Sequence, residues 1–236
     1  MHIAAPLPTL AIEACAPVSV STPLLRPMNI DFATLTEYQR YKMMASLIVP
    51  RPIALVTTLG EDGVVNAAPF SMFNMLGEEP PIVMLSINRL KDGHLKHTAA
   101  NIQRSKEFVV HMCDEDLAEQ MHRCGDNFPV HVSELDAVGL TTAPSSSVAP
   151  PRIAEAPVAF ECTLWETLET TSRQIFIGQV RWMHARDELI DTENWRVRLQ
   201  HYQPVGRFGA SFYVKTNERY ALEAQAAARS TAIDEM

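Results

Sequence analysis

Apolar residues along this chain come in short bursts separated by turn-forming residues, and the spacing of each burst predicts an element. Thr36 to Leu47 reads as a short helix. Thr36 sits at its cap, and Gln39 stands three places on to complete a capping box. Pro50 must end that helix, and Arg51-Pro52 keeps the chain extended. Ile53 to Leu59 is β-branched and apolar; Gly60 to Gly63 forms a tight turn, and an extended pattern resumes at Val64. Pro81 to Asn88 predicts a buried strand. After it come a loop over Arg89 to Gly93 and a short helix through His97 to Ile102. Glu107 to Met112 predicts another strand, and Asp114 to Arg123 an amphipathic helix capped by Asp114.

From Asn127 to Pro157 the chain is rich in Pro, Ser and Ala, which predicts a long surface excursion with little regular structure, suited to a lid or a dimer contact. Two long strands are predicted next, Val158 to Glu169 and Gln174 to Ala185, with a short one at Leu189-Ile190. Tyr202 to Val214 is a glycine-bearing loop leading to a short strand, and Thr216 to Ala228 a final helix. Irregularly spaced strands interrupted by short helices predict a mainly β fold, a closed or split barrel with peripheral helices. A doubly wound sheet needs regular strand-helix alternation. The expected organisation is a flexible arm over 1–28, one barrel domain over 29–216, and a C-terminal helix and tail over 217–236.

The 236 residues carry 28 acidic and 20 basic side chains, a formal net charge of -8. That balance argues against general nucleic-acid binding, which needs a positive surface to displace counterions. It leaves room for a local cluster of donors around a phosphate, because salt screens surface charge within about 8 Å. Cys15, Cys113, Cys124 and Cys162 form no CxxC pair, so reduced thiols in a cytoplasmic protein are expected. No run reaches the roughly 18 apolar residues of a membrane span. The proline-rich first 27 residues lack a basic start and make a poor signal peptide, while Met28 offers an alternative translation start.

Neither GxGxxG nor GxxxxGK[ST] occurs, no Ser-His-Asp order or HExxH is present, and the scattered histidines predict no metal site. The polar groups that could carry chemistry gather in Thr57-Thr58, in Asn66 to Asn74, at Ser86, and in Lys96 to Asn101. Each piece follows or ends a strand, where a barrel presents groups at its rim. Hydroxyls, amides and one lysine, with scarcely a carboxylate among them, suit a phosphorylated coenzyme. Charge-assisted bonds to a phosphate contribute about 1.5–3 kcal/mol each, and a helix starting near Thr98 adds N–H groups and a favourable dipole. These segments are expected to converge on one pocket.

Read in order, the segments resemble the flavin reductase-like family, in particular the flavoredoxin-like branch of the FMN-binding split barrels. Val49 to Thr58 (VPRPIALVTT) resembles that family's opening. Asn66 to Asn74 (NAAPFSMFN) resembles its N-x-APFS-x-FN stretch, and Pro80 to Val83 its PP-plus-strand element. Lys96 to Ile102 (KHTAANI) resembles its KDT-x-x-NI phosphate motif, with His97 in place of the aspartate. Pro151-Arg152-Ile153, Phe160-Glu161-Cys162 and Pro204 to Gly209 (PVGRFG) extend the likeness, which covers roughly residues 30 to 215.

The resemblance implies a homodimer with flavin at its interface. It assigns Lys96 and Thr98 to the FMN phosphate, and Thr57 and Thr58 to the phosphate or ribityl chain. Asn66, Ala67, Ala68, Pro69, Ser71 and Ser86 would lie along the isoalloxazine. Arg89 and Arg207 are candidates for that phosphate or for the phosphates of a nicotinamide nucleotide, and the glycine-flanked loop of Arg207 also suits a dimer contact. The implied activity is NAD(P)H:FMN oxidoreduction, with reduced flavin either passed to a partner monooxygenase or kept bound to reduce another acceptor. FAD is the alternative flavin, and a non-catalytic FMN-binding electron-transfer protein the alternative function. A protonated His97 reaching the phosphate would strengthen flavin affinity toward acid pH.

Overall fold

The computed structural model describes residues 27–129 and 131–220. Its helices are α1 (Glu37–Leu47), α2 (His97–Ser105), α3 (Ala118–Arg123) and α4 (Glu134–Val138). The strands begin with β1 (Arg51–Pro52), β2 (Ala54–Leu59), β3 (Val65–Phe70), β4 (Phe73–Glu78) and β5 (Pro81–Asn88). They continue with β6 (Glu107–Met112), β7 (Thr142–Ala143), β8 (Arg152–Ile153), β9 (Val158–Glu169) and β10 (Arg173–Ala185). The last are β11 (Ile190–Asp191), β12 (Arg196–Val197), β13 (Val205–Phe208) and β14 (Phe212–Lys215).

One antiparallel seven-stranded sheet, in the order β3-β2-β6-β9-β10-β5-β4, organises the molecule. Its two edge strands, β3 and β4, are consecutive in the chain and joined only by Ser71-Met72. Opposite edges of the sheet must therefore meet in space, and the sheet rolls up. The Ser86 N–H donates to the Met72 carbonyl at 2.8 Å, pinning β5 to that corner. Since β3 and β4 are not paired with each other, the barrel stays split along this seam.

Period-two alternation gives each strand two faces. Ala54 and Val56 of β2, Val83, Leu85 and Ile87 of β5, Phe108 and Val110 of β6 and Phe176 of β10 fill the interior, closed off by Ala99 and Ile102 of α2. The opposite face of β2 and β3 carries Leu55 and Ala67 into a second core with Leu117 and Met121 near α3 and Leu135 and Val138 of α4. Thus β2 is buried on both sides, which is why its sequence reads as a continuous apolar run rather than an alternating one.

Most predicted elements are present, and four differ. The Thr36 capping box forms as expected, with Gln39 Oε1 accepting from the Thr36 N–H at 2.8 Å. The helix predicted from Asp114 starts later, at Ala118. Asp114 bridges to Pro204 and accepts from the Leu117 N–H at 3.1 Å and from Arg186, so its backbone is held outside the helix. The excursion over 127–157 is a correction, because it is an inner wall. Leu135 and Ile153 are fully buried, α4 lies within it, and the His111 imidazole and Glu161 carboxylate bind its backbone. Strand β4 had no sequence signal. Residues 216–220 are not helical, and the rest of the predicted final helix, like nearly all of the arm over 1–28, lies outside the described residues. Cys113, Cys124 and Cys162 are free buried thiols. Among the described residues no helix is long and apolar enough to cross a membrane.

Candidate functional site

Alternation along β2 sends its two threonines to opposite sides. Thr58 lies on the α2 side, where its hydroxyl accepts from the Asn101 amide at 3.1 Å and from the Asn66 amide at 3.4 Å. Asn66, on β3, also donates to the Thr98 hydroxyl at 2.9 Å. Four polar side chains from three elements thus form one hydrogen-bonded row beneath the first turns of α2, with Thr58 and Thr98 almost wholly buried. Thr57 does not join them. Its hydroxyl donates to the Pro151 carbonyl at 2.6 Å on the other face of the strand.

Lys96 caps α2 with extended backbone (φ -67°, ψ 155°), and among the described residues no side-chain hydrogen bond caps the helix. Its ammonium is half-buried and held below the usual lysine range, first by burial and then by the nearby Arg173 guanidinium. Arg173 donates to the Ser86 carbonyl at 3.3 Å and lies 6.0 Å from the Tyr41 ring. Among the described residues neither cation has a carboxylate within ion-pair distance. Two adjacent cations, a helix start and no counter-charge make a place where an anion is stabilised. Arg89 is committed elsewhere, to Glu169 at 3.6 Å and the Gly93 carbonyl at 3.3 Å.

The segment after Asn66 runs across the barrel edge. Ala67 is buried, and its N–H donates to Glu134 Oε2 at 2.8 Å. Burial pushes the Glu134 carboxyl up, opposed by that bond and by His97. Ala68 packs on the interior core. Pro69 and Ser71 line a cavity of about 270 Å³ with Arg51 and Arg207. A second hollow of about 280 Å³ opens beside Asn66, Asn101 and His97, with Glu61, Asp62 and Glu134 on its other side. The single convergent pocket expected from the sequence is therefore corrected. The structure unites Thr58, Asn66 and Thr98, sets Lys96 and Ser86 beside Arg173, and places Pro69, Ser71 and Arg207 at a separate cavity. Thr57 and Arg89 stand apart, and His97 is exposed on the hollow that also holds Glu134.

Three participants were not singled out by the sequence. Arg173 and Tyr41 belong to no motif, and the Arg173 backbone reaches the site only because β10 pairs with β5 in the register Arg173↔Asn88. Arg51 sat in the opening motif as one letter of an extended dipeptide, yet it is only 7% exposed. Its side chain binds the carbonyls of Ala45, Ile48 and Gly209. Among the described residues no group of three or more metal-ligating side chains converges.

A rolled antiparallel sheet with an unpaired seam, helices packed on it, a row of hydroxyls and amides beneath α2 and a lysine at that helix's start suits a split-barrel protein of the flavin reductase type. Residues 44–204 match the family model described as the flavin reductase like domain, and the chain belongs to that family. It is similar to the 2-nitrobenzoate 2-nitroreductase NbaA of Pseudomonas fluorescens. They are 41% identical over 83% of this chain and 95% of that one, with a TM-score of 0.75. It is also similar to nitrilotriacetate monooxygenase component B from Bacillus cereus, at 31% identity over 84% of this chain and all of that one, TM-score 0.79. A protein with a split barrel domain from Shewanella frigidimarina shares the fold at 21% identity over 83% and 98% of the two chains, TM-score 0.71.

Proposed function

We propose that this protein is a flavin-dependent oxidoreductase that passes hydride from NAD(P)H to FMN. The observation that carries the reading is Lys96 at the start of α2, partly withdrawn from water, with the Arg173 guanidinium of β10 near enough to oppose its charge and no carboxylate partner for either among the described residues. A phosphate dianion supplies the missing counter-charge, and the free N–H groups of the α2 first turn supply its hydrogen bonds. Bound FMN would supply the hydride-accepting ring.

The rest of the chain's work is positioning. Thr58, Asn66 and Asn101 offer a pre-formed row of hydroxyls and amides for the ribityl chain, already fixed by their mutual bonds. The segment Ala67 to Ser71, with Ser86 beside it, would flank the ring along the barrel seam. Thr57 takes part through the register of β2 rather than through its hydroxyl, and Arg89 stays at the rim beside Glu169. No side-chain nucleophile is needed, because hydride transfer asks only that two rings be held face to face. A homodimer would cover the exposed apolar side chains Trp165 and Trp182 of the β9–β10 hairpin.

The likeness to a monooxygenase component B favours delivery of reduced flavin to a partner monooxygenase. The likeness to a nitroreductase favours a second reading, in which FMN stays bound and a nitroaromatic compound takes the electrons. Visible absorbance of the purified protein, then NADH and NADPH consumption with and without added FMN or FAD, tests both. Turnover that requires added flavin supports the first; anaerobic turnover with 2-nitrobenzoate and no added flavin supports the second. A coloured protein that oxidises neither nicotinamide is a carrier, and the proposal is then wrong.

A further inference from the structure

We propose that the cavity between α1, α3 and the β13–β14 hairpin is a binding site for a small aromatic carboxylate. The cavity adjoins the site proposed for flavin, since its Tyr41 wall also faces Arg173 and its Pro69 and Ser71 belong to the segment proposed beside the ring, and its own warrant is a charge arrangement that folding alone does not favour. Arg51 of β1 and Arg207 of β13 are direct cross-strand partners. Like charges placed opposite one another across an antiparallel pair are destabilising. Among the described residues neither has a carboxylate partner. Arg51 is almost wholly buried, and its N–H groups are held by backbone carbonyls and, at 3.4 Å, by the Ser71 hydroxyl. Those bonds fix the guanidinium without neutralising it. Arg207 stacks on Tyr213, 4.8 Å from the ring centre, and Tyr213 is oriented by a 2.8 Å hydrogen bond between its hydroxyl and His122 Nδ1. The acidic group on the cavity wall is Asp126, which is exposed and forms no ion pair with either arginine.

Two features narrow the ligand beyond "an anion". The walls include the Tyr41 and Tyr213 rings and Pro69, which a bare phosphate would leave uncovered, with Phe70 buried behind them. At about 270 Å³ the space falls just under the 300–1,000 Å³ typical of sites for drug-sized molecules, so it suits one ring with one acid group rather than a dinucleotide. A planar carboxylate takes paired bonds from a guanidinium fork, and a ring beside it stacks on tyrosine. Tyr41 lies 6.0 Å from Arg173 of the proposed phosphate site, and Ser71 ends the segment proposed beside the flavin ring. An acid bound here would stand next to the reacting ring, and that last step alone rests on the proposed function.

The test is calorimetric titration of benzoate into the purified full chain, both as isolated and after removal of any flavin. Binding with a dissociation constant on the order of 1 mM or tighter is expected. Arg207→Gln should weaken it by about ten-fold or more with melting unchanged or raised, as expected for loss of a charge-assisted bond. Benzyl alcohol, which lacks the charge, should not compete. No benzoate binding, wild-type affinity in R207Q, or displacement of benzoate by pyrophosphate or by FMN would overturn the assignment. The two proposals fail separately. Absent benzoate binding with intact NAD(P)H oxidation removes this site alone, whereas benzoate binding by a protein that neither holds flavin nor oxidises nicotinamides removes the earlier reading alone.

Discussion

The Asn66 side-chain amide donates to the Thr98 hydroxyl at 2.9 Å, tying edge strand β3 to the first turn of α2. Its NH₂ also reaches Thr58 at 3.4 Å, so one amide serves two nearly buried hydroxyls. Asn66→Ala removes the side-chain donor from Thr98, while Thr58 keeps the Asn101 amide at 3.1 Å. Leaving buried polar groups unpaired costs about 1–3 kcal/mol, so thermal or urea unfolding should show a loss of that size. Unchanged stability would mean that water replaces the amide freely and that the row is not pre-formed.

Lys96→Ala separates a binding role from a folding one. The ammonium lies beside Arg173 and is half-buried, so its removal relieves repulsion and desolvation. The flavin-free protein should melt at the same temperature or slightly higher, while FMN affinity falls about ten-fold or more, the scale of one charge-assisted bond. Fluorescence titration of FMN gives the second quantity. A clear loss of melting temperature without loss of FMN binding would assign Lys96 to structure.

Acid should destabilise the protein in two steps, each from one buried group. His111 accepts from the Ile153 N–H on Nε2 at 2.9 Å, so its proton sits on Nδ1 and is donated to the Leu55 carbonyl, also at 2.9 Å. Burial pushes this imidazole down to about 4. The unfolded chain, titrating near 6.5, takes up the proton first, so stability falls as pH drops from about 6.5 to 4, by up to about 3 kcal/mol. Glu161 acts lower. Burial would raise it, yet the Ser147 hydroxyl, the N–H groups of Ser146 and Ser147 and the His184 ring bring it to about 2. Its contribution is complete above about 4.5 and disappears as pH falls through about 2. Urea midpoints measured from pH 7 to pH 3 should show the first step in wild type and lose it in His111→Gln.

Gly178→Ala should be among the more damaging single-methyl additions. A Cβ there would collide with the Phe108 ring and lie 3.3 Å from the Cys162 Cβ, all inside the barrel. Overpacking of this kind costs about 1–3 kcal/mol. Adding Phe108→Leu should recover part of the loss, and a double-mutant cycle in urea reads the coupling.

Much of the barrel is legible because its strands are buried runs. The predicted bounds of β5, β6 and β9 coincide with those observed, since Ile, Val and Phe cluster there between turn residues. Strand β4 was invisible because Asn74, Met75 and Leu76 lie exposed on an edge, where packing imposes no alternation. Helix α4 hid in a Pro- and Ser-rich stretch because only Leu135 and Val138 of its five residues are buried. For the site, Asn66, Thr98 and Asn101 stood in recognisable motifs, and their joint approach to Thr58 follows from strand pairing. Arg173 and Tyr41 could not be read in the same way, since nothing near them in sequence announces a partner. The two adjoining threonines looked equivalent on paper, and only knowing that both faces of β2 are covered separates them.

That division of β2 ties assembly to chemistry. A side-chain period of two means that slipping this strand by a single residue would deliver a different hydroxyl to each chamber at once. The pairings Thr57↔Ala67 and Thr58↔Asn66 are what hold it in place. A chain that collapsed with β2 one step out of line could still bury its valines and leucines, yet it would present Asn101 with the wrong neighbour. Correct alignment of one inner strand is thus the condition under which the polar row exists at all.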